Sequence, residues 1–216
     1  MTNYDQMKNL LRQFSDKYVG ESFIESKMSD LSEDKNESVI SGSKKFVYEN
    51  KRKDMCVIDM DEIAHNIYRI ARYPESVKEE DSLASADAFV ISTDNIWYFI
   101  EFKNQKINKA KDSVTKKAYQ NWFWLVDVLY EMKEQIQYDT FNYDNPIEFA
   151  RENVIYILVV SEEKNYENIK KIHDCSLAGE KFCPEYMKKL EKYIFKEAYV
   201  YTPEMLEQKF VKKFVY

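Results

Sequence analysis

The stretch Ser85-Ala-Asp-Ala-Phe-Val-Ile-Ser-Thr-Asp-Asn-Ile-Trp-Tyr-Phe-Ile-Glu-Phe-Lys103 reads as two strands joined by a tight turn. Ala86 to Ile91 is apolar and β-branched towards its end. Thr93, Asp94 and Asn95 are turn formers, and Ile96 to Phe102 is almost wholly aromatic or β-branched. Asp87 sits on the first strand, Glu101 and Lys103 on the second. Side chains on a strand alternate, so Glu101 and Lys103 share a face. If the hairpin folds about Asp94, with Ser92 opposite Ile96, Asp87 lies directly opposite Glu101, their Cβ atoms about 4.5–5.5 Å apart. Two carboxylates that close repel unless a proton or a cation lies between them, and a hard divalent cation with oxygen ligands suits the gap. A register slip of one residue would turn Asp87 to the other face.

An Asp on one strand followed by Glu-x-Lys at the end of the next resembles the restriction-endonuclease-like PD-(D/E)xK nuclease superfamily. The run DAFVI…WYFIEFKNQK is similar to uncharacterised bacterial nuclease-like proteins of that superfamily. Ala86 stands where the signature has proline, a loosely kept position. The resemblance covers about 59–160, and the C-terminal part more weakly. Glu-x-Lys alone is common here, as at Glu25, Glu33, Glu49, Glu131 and Glu162. Only Glu101-Phe-Lys103 ends a strongly apolar strand that follows an Asp-bearing strand. The bland alternative is a salt bridge at the end of a sheet.

The resemblance implies a site. Asp87 and Glu101, with the backbone carbonyl of Phe102, would hold Mg2+ or Mn2+. Lys103 would orient the attacking water or offset the charge that builds up. Relatives often place a further carboxylate on the helix before the Asp strand, and Glu62 is the candidate, although the helix dipole alone explains an acid there. Many relatives also carry a Lys or Gln on the following helix. Lys117 falls on a flank that can reach the strand ends, with solvent-exposed surface as the plain alternative.

The fold class expected is α/β, a central mixed β-sheet flanked by helices. The resemblance makes it the restriction-endonuclease-like αβββαβ core, with residues 1–43 as an N-terminal helical arm and 44–216 as the core with a C-terminal strand–helix extension. Residues 3–18 have helical spacing at Met7, Leu10, Leu11 and Phe14. Residues 22–32 read as a weaker helix, Ser32 to Ser43 as a polar loop, and Phe46 to Tyr48 as a short strand. Asp59 or Asp61 caps a helix with an apolar stripe of Ile63, Ile67, Ile70 and Ala71, ending near Pro74. Pro74 to Ser82 is a loop. The longest helix runs from about Lys109 to Gln137, its core stripe Val114, Ala118, Trp122, Leu125, Leu129 and Met132. Its Asn121-Trp-Phe-Trp-Leu-Val turn, apolar nearly all round, is expected to be covered on several sides as core rather than to stack bases. Tyr138 to Asn153 reads as a loop with a helical turn. Val154 to Val160 is a strand buried on both faces. Tyr166 to His173 and Glu185 to Lys192 are helical, Phe195 to Tyr201 is a late strand, and Thr202-Pro203 starts a closing helix.

The chain of 216 residues is 44% hydrophobic and 32% charged, enough for one filled core. Three glycines leave no Gly-rich phosphate loop. The three cysteines fit a reducing cytosol better than a disulfide scaffold, and His173, Cys175 and Cys183 lack a fourth zinc ligand at the usual spacing. No apolar run approaches the roughly 20 residues of a membrane span, and the start has no signal-peptide pattern. A soluble, cytoplasmic protein without a membrane partner is expected. The net charge of −6 counts against a general nucleic-acid binder. Yet Glu101 to Lys117 holds six lysines against two acids, and Lys44, Lys45, Lys51, Arg52 and Lys53 form a second basic cluster. Both could flank the site, or be ordinary solvated faces.

The function implied is Mg2+- or Mn2+-dependent hydrolysis of phosphodiester bonds in a nucleic acid, DNA rather than RNA, with a homodimer suiting a double-strand cut. Alanine at Asp87, Glu101 or Lys103 is expected to remove cleavage and leave the fold intact. The rival is a non-catalytic nuclease-fold binding or immunity-type protein, which the acidic balance and missing proline fit. An enzyme acting on small phosphorylated metabolites ranks last, for want of a phosphate-cradling loop.

Overall fold

The computed structural model describes residues 1–20, 23–49, 55–75, 81–135, 138 and 140–214. Six strands form one sheet whose spatial order is their order in the chain: β1 (Glu25–Lys27), β2 (Cys56–Asp59), β3 (Ala88–Ile91), β4 (Trp97–Lys103), β5 (Val154–Val160) and β6 (Glu197–Tyr201). β1 to β4 pair antiparallel, and β4, β5 and β6 run parallel. Parallel neighbours need a long crossover. The helix Lys111–Met132 lies between β4 and β5, and the helices Tyr166–Leu177 and Glu185–Tyr193 between β5 and β6. The class is α/β, a mixed sheet flanked by helices.

The hairpin register runs from Ala88 opposite Ile100 to Ile91 opposite Trp97. Ser92 N–H continues it to the Ile96 carbonyl at 2.9 Å. Asn95 takes the left-handed conformation, φ 58°, which an Asn tolerates and which closes the turn. The two strands are shifted at their ends from the expected Ala86–Ile91 and Ile96–Phe102. β3 starts only at Ala88 because the Ala86 amide donates to Asn121 Oδ1 (3.1 Å) instead of the ladder. β4 reaches Lys103 because that residue still pairs with Val160.

Alternation divides the sheet into two buried faces. Phe89, Ile91, Trp97, Phe99, Tyr156 and Leu158 belong to the core that includes the N-terminal helix Asn3–Tyr18, the continuous helix over 60–72 and the long helix Lys111–Met132. Ala88, Val90, Ile100, Phe102, Ile157 and Val159 pack with the closing helix over 203–214. β5 is therefore buried at every residue. Met7, Leu10, Leu11 and Phe14 form the buried stripe their spacing predicts, and so does the long helix from Val114 to Met132. Trp122 and Trp124 are core, but Phe123 is 63% exposed on the face turned from the sheet, so that turn is not covered all round. Asp59, not Asp61, caps the helix over 60–72 by accepting from the Glu62 amide at 2.9 Å. Thr202 caps the closing helix.

The polar segments differ most from expectation. In place of a helix over 22–32 stand β1 and a single helical turn, Met28–Leu31. Glu25-Ser-Lys27 has no strand pattern of its own, but the outer edge of β2 offers unpaired backbone groups, and Glu25 to Lys27 pair with Ile58 to Cys56. The 32–43 stretch contains a helix, Lys35–Ser41, where a loop was expected; Asp34 accepts from the Glu37 amide at 3.0 Å at its start. Phe46 to Tyr48 makes one bridge, Glu33 to Phe46, and no strand. The long helix stops at Met132 rather than Gln137, with 136 and 137 outside the described residues, as are 76–80 of the loop after Pro74. Pro146–Asn153 is a helix of eight residues capped by Asn145, more than a turn. No described helix is long and apolar enough to cross a membrane.

Candidate functional site

The paired register ends at Ala88 opposite Ile100; one residue earlier the Asp87 amide donates to the same Ile100 carbonyl at 3.1 Å, and the side chain of Asp87 lies at the Glu101 end of β4. Its Oδ2 accepts the Phe102 amide proton at 2.6 Å and so replaces the ladder bond that β3 no longer supplies. Its Oδ1 accepts from Lys117 Nζ at 3.0 Å. Glu101 is fully buried, on the sheet face covered by the long helix. Its Oε1 lies 2.5 Å from Lys103 Nζ and 2.9 Å from Lys117 Nζ.

A cation between two opposed carboxylates is what their charges demand, and here Lys117 is that cation. It stands one residue before buried Ala118 and three after buried Val114, on the flank of the long helix that looks at the strand ends. Its side chain is 18% exposed, so the plain surface alternative does not hold. Burial works against the ammonium, yet Asp87 and Glu101 together raise its pKa above the ordinary lysine value. Burial, and next the charge of Glu101, push the Asp87 carboxyl up to about 7 in spite of Lys117. Of the six lysines between Glu101 and Lys117, Lys103 and Lys117 turn into the site while Lys106, Lys109, Lys111 and Lys116 are exposed.

Two more residues of the long helix hold the segment leading to Asp87. Gln120 Oε1 accepts the Ala84 amide proton at 2.7 Å, and Asn121 Oδ1 that of Ala86. Neither is singled out in the sequence, where Asn121 merges into an apolar turn. Its place four residues after Lys117, on the same helical face, is the signal that could have found it. Asp61, at the start of the helix over 60–72 and offered by the sequence as a candidate cap, accepts from Ser85 Oγ, and its negative charge bears on Asp87.

The site opens into a cleft of about 650 Å³. Asp59, Asp61, Glu62, Asp87 and Lys103 line its floor, and Asp30, Glu33, Asp34, Lys35 and Glu37 its N-terminal wall. Eight acids against two lysines make a negative field that concentrates cations and repels phosphate. Glu62 is in this cleft, its carboxylate accepting from Asn66 Nδ2 at 2.6 Å. His65 lines it as well, half-buried. Among the described residues, no three His, Cys, Asp or Glu side chains are grouped to hold a metal ion. Cys175 and Cys183 are free thiols. Of the second basic cluster, Lys44 pairs with Glu33 at 3.0 Å, while Lys51, Arg52 and Lys53 lie outside the described residues. No protein-family model, curated protein or solved structure matches the chain, so any functional argument rests on this geometry.

Proposed function

We propose that the chain is a divalent-metal-dependent nuclease of the PD-(D/E)xK kind that hydrolyses phosphodiester bonds in DNA. The observation that carries this is the pair Asp87 and Glu101, bridged by the Lys117 ammonium and with the Lys103 ammonium also on Glu101, beside an acidic cleft that Asp87 and Lys103 line. The order β2-β3-β4-β5, antiparallel and then parallel with a helix between β4 and β5, supports a restriction-endonuclease-like core. It departs from a plain αβββαβ order in one respect, since the helix over 60–72 falls between β2 and β3.

The residues fit Mg2+ or Mn2+. Asp87 and Glu101 offer carboxylate oxygens. The Phe102 amide points at Asp87, and on a strand the carbonyl of the same residue faces the same side, which adds a third oxygen donor. Asp61, rather than Glu62, is the helix-borne acid whose charge bears on Asp87. Bound there, the ion would neutralise the phosphate and lower the pKa of an attacking water. Lys103, which pairs with Glu101, would orient that water and offset charge building on the phosphate.

The test is cleavage of supercoiled and linear DNA, with an RNA strand in parallel, in Mn2+ or in EDTA. Cutting of DNA that needs the ion and is lost in Asp87→Asn is the expected result. A second reading, a non-catalytic binding protein on the same scaffold, is favoured by the acidic wall and by the lysine between the carboxylates. Calorimetric Mn2+ binding without any cleavage would select it. Neither binding nor cleavage would remove the nuclease assignment.

A further inference from the structure

We propose that Lys117 is a tethered counter-ion: its ammonium occupies the position a divalent ion would take, and ion loading requires it to leave. This rests on the metal-site reading above and adds to it how the site is regulated. The geometry separates the two lysines. Among the described residues, Lys103 forms an ion pair with Glu101 and none with Asp87, whereas Lys117 bridges Asp87 Oδ1 at 3.0 Å and Glu101 Oε1 at 2.9 Å. Two neighbouring carboxylates, one of them with no solvent exposure, repel unless a proton or a cation lies between them, and Lys117 supplies that cation. One charge centre suffices, and a lysine and a metal ion cannot share the point. Lysine is a flexible stem carrying a compact charge, so it can vacate the site without moving its helix. The cleft beside it, lined by acids, gives the displaced ammonium a favourable place to go.

The consequence is competition. Without an ion the fold is held together by its own lysine, so folding does not depend on metal. The apparent affinity for the ion is lowered by the fraction of molecules whose lysine is in place. Removing the ammonium should tighten ion binding and at the same time make folding depend on the ion.

The experiment is calorimetric titration of the full chain with MnCl2, wild type beside Lys117→Met, which keeps the stem and drops the charge, and Lys117→Arg, which keeps a charge. Thermal unfolding is measured in EDTA and in Mn2+. Lys117→Met is expected to bind Mn2+ about tenfold or more tightly than wild type. Its Tm should be low in EDTA and restored by Mn2+, while the wild-type Tm moves little. Equal or weaker binding by Lys117→Met overturns the counter-ion role and leaves the metal site standing. Absence of binding by every form overturns the metal site itself. Should Lys117→Met not fold under any condition, reductive methylation of the wild type read by mass spectrometry decides. Lys117 protected in EDTA and labelled in Mn2+ supports displacement; equal protection in both overturns it.

Discussion

Replacing Glu101 by alanine is expected to destabilise the protein by about 3–5 kcal/mol, the range for removing one partner of a buried ion pair. Glu101 has no solvent exposure and pairs with two ammonium groups, at 2.5 and 2.9 Å. Its loss leaves Lys103 and Lys117, each with a side chain 18% exposed, sharing the single carboxylate of Asp87. Urea unfolding of Glu101→Ala beside wild type measures the effect through the shift in midpoint. An unchanged midpoint would mean that the buried cluster is not formed. The same burial revises the view, taken from sequence alone, that alanine at this position removes cleavage and spares the fold. Activity is better probed with Glu101→Gln, which keeps the volume and removes the charge.

Trp97→Ala should cost about as much, about 3–5 kcal/mol, for a different reason. Trp97 is fully buried where β4 meets two helices and a loop. Its ring lies 4.8 Å from that of Phe149, 5.5 Å from those of Phe89 and Tyr138, and 6.1 Å from that of Trp122. Removing the indole withdraws dispersion contacts from every one of these rings and leaves a cavity that they cannot all collapse into. Phe123→Ala, on the exposed face of the neighbouring helix, should stay within about 0.5 kcal/mol of wild type. The pair of substitutions separates packing from mere loss of an aromatic residue. Comparable unfolding midpoints for both would contradict the placement of Trp97.

What the sequence made legible was whatever is encoded locally. The hairpin register from Ala88 opposite Ile100 to Ile91 opposite Trp97 follows from turn formers at Thr93 to Asn95 and an apolar run on each side, and it leaves Asp87 beside the Glu101 end of β4. β5 is readable as seven apolar residues in a row, and Thr202-Pro203 as a helix start, because cap and proline act within one turn. β1 is not encoded this way. Three polar residues become a strand because β2 presents an edge to them. The role of Asn121 depends on where Ala86 arrives from a distant part of the chain, and the role of Asp61 on Ser85. Lys117 was within reach as a flank residue, but its seat between two carboxylates follows from the packing of helix on sheet rather than from any spacing.

Crystals soaked in Mn2+ and measured for anomalous scattering would put the site to the proof. The expected result is one peak between the Asp87 and Glu101 carboxylates and the Phe102 carbonyl, with the Lys117 ammonium turned out into the cleft. Lys117 still bridging both carboxylates, with no peak beside them at saturating Mn2+, would contradict it.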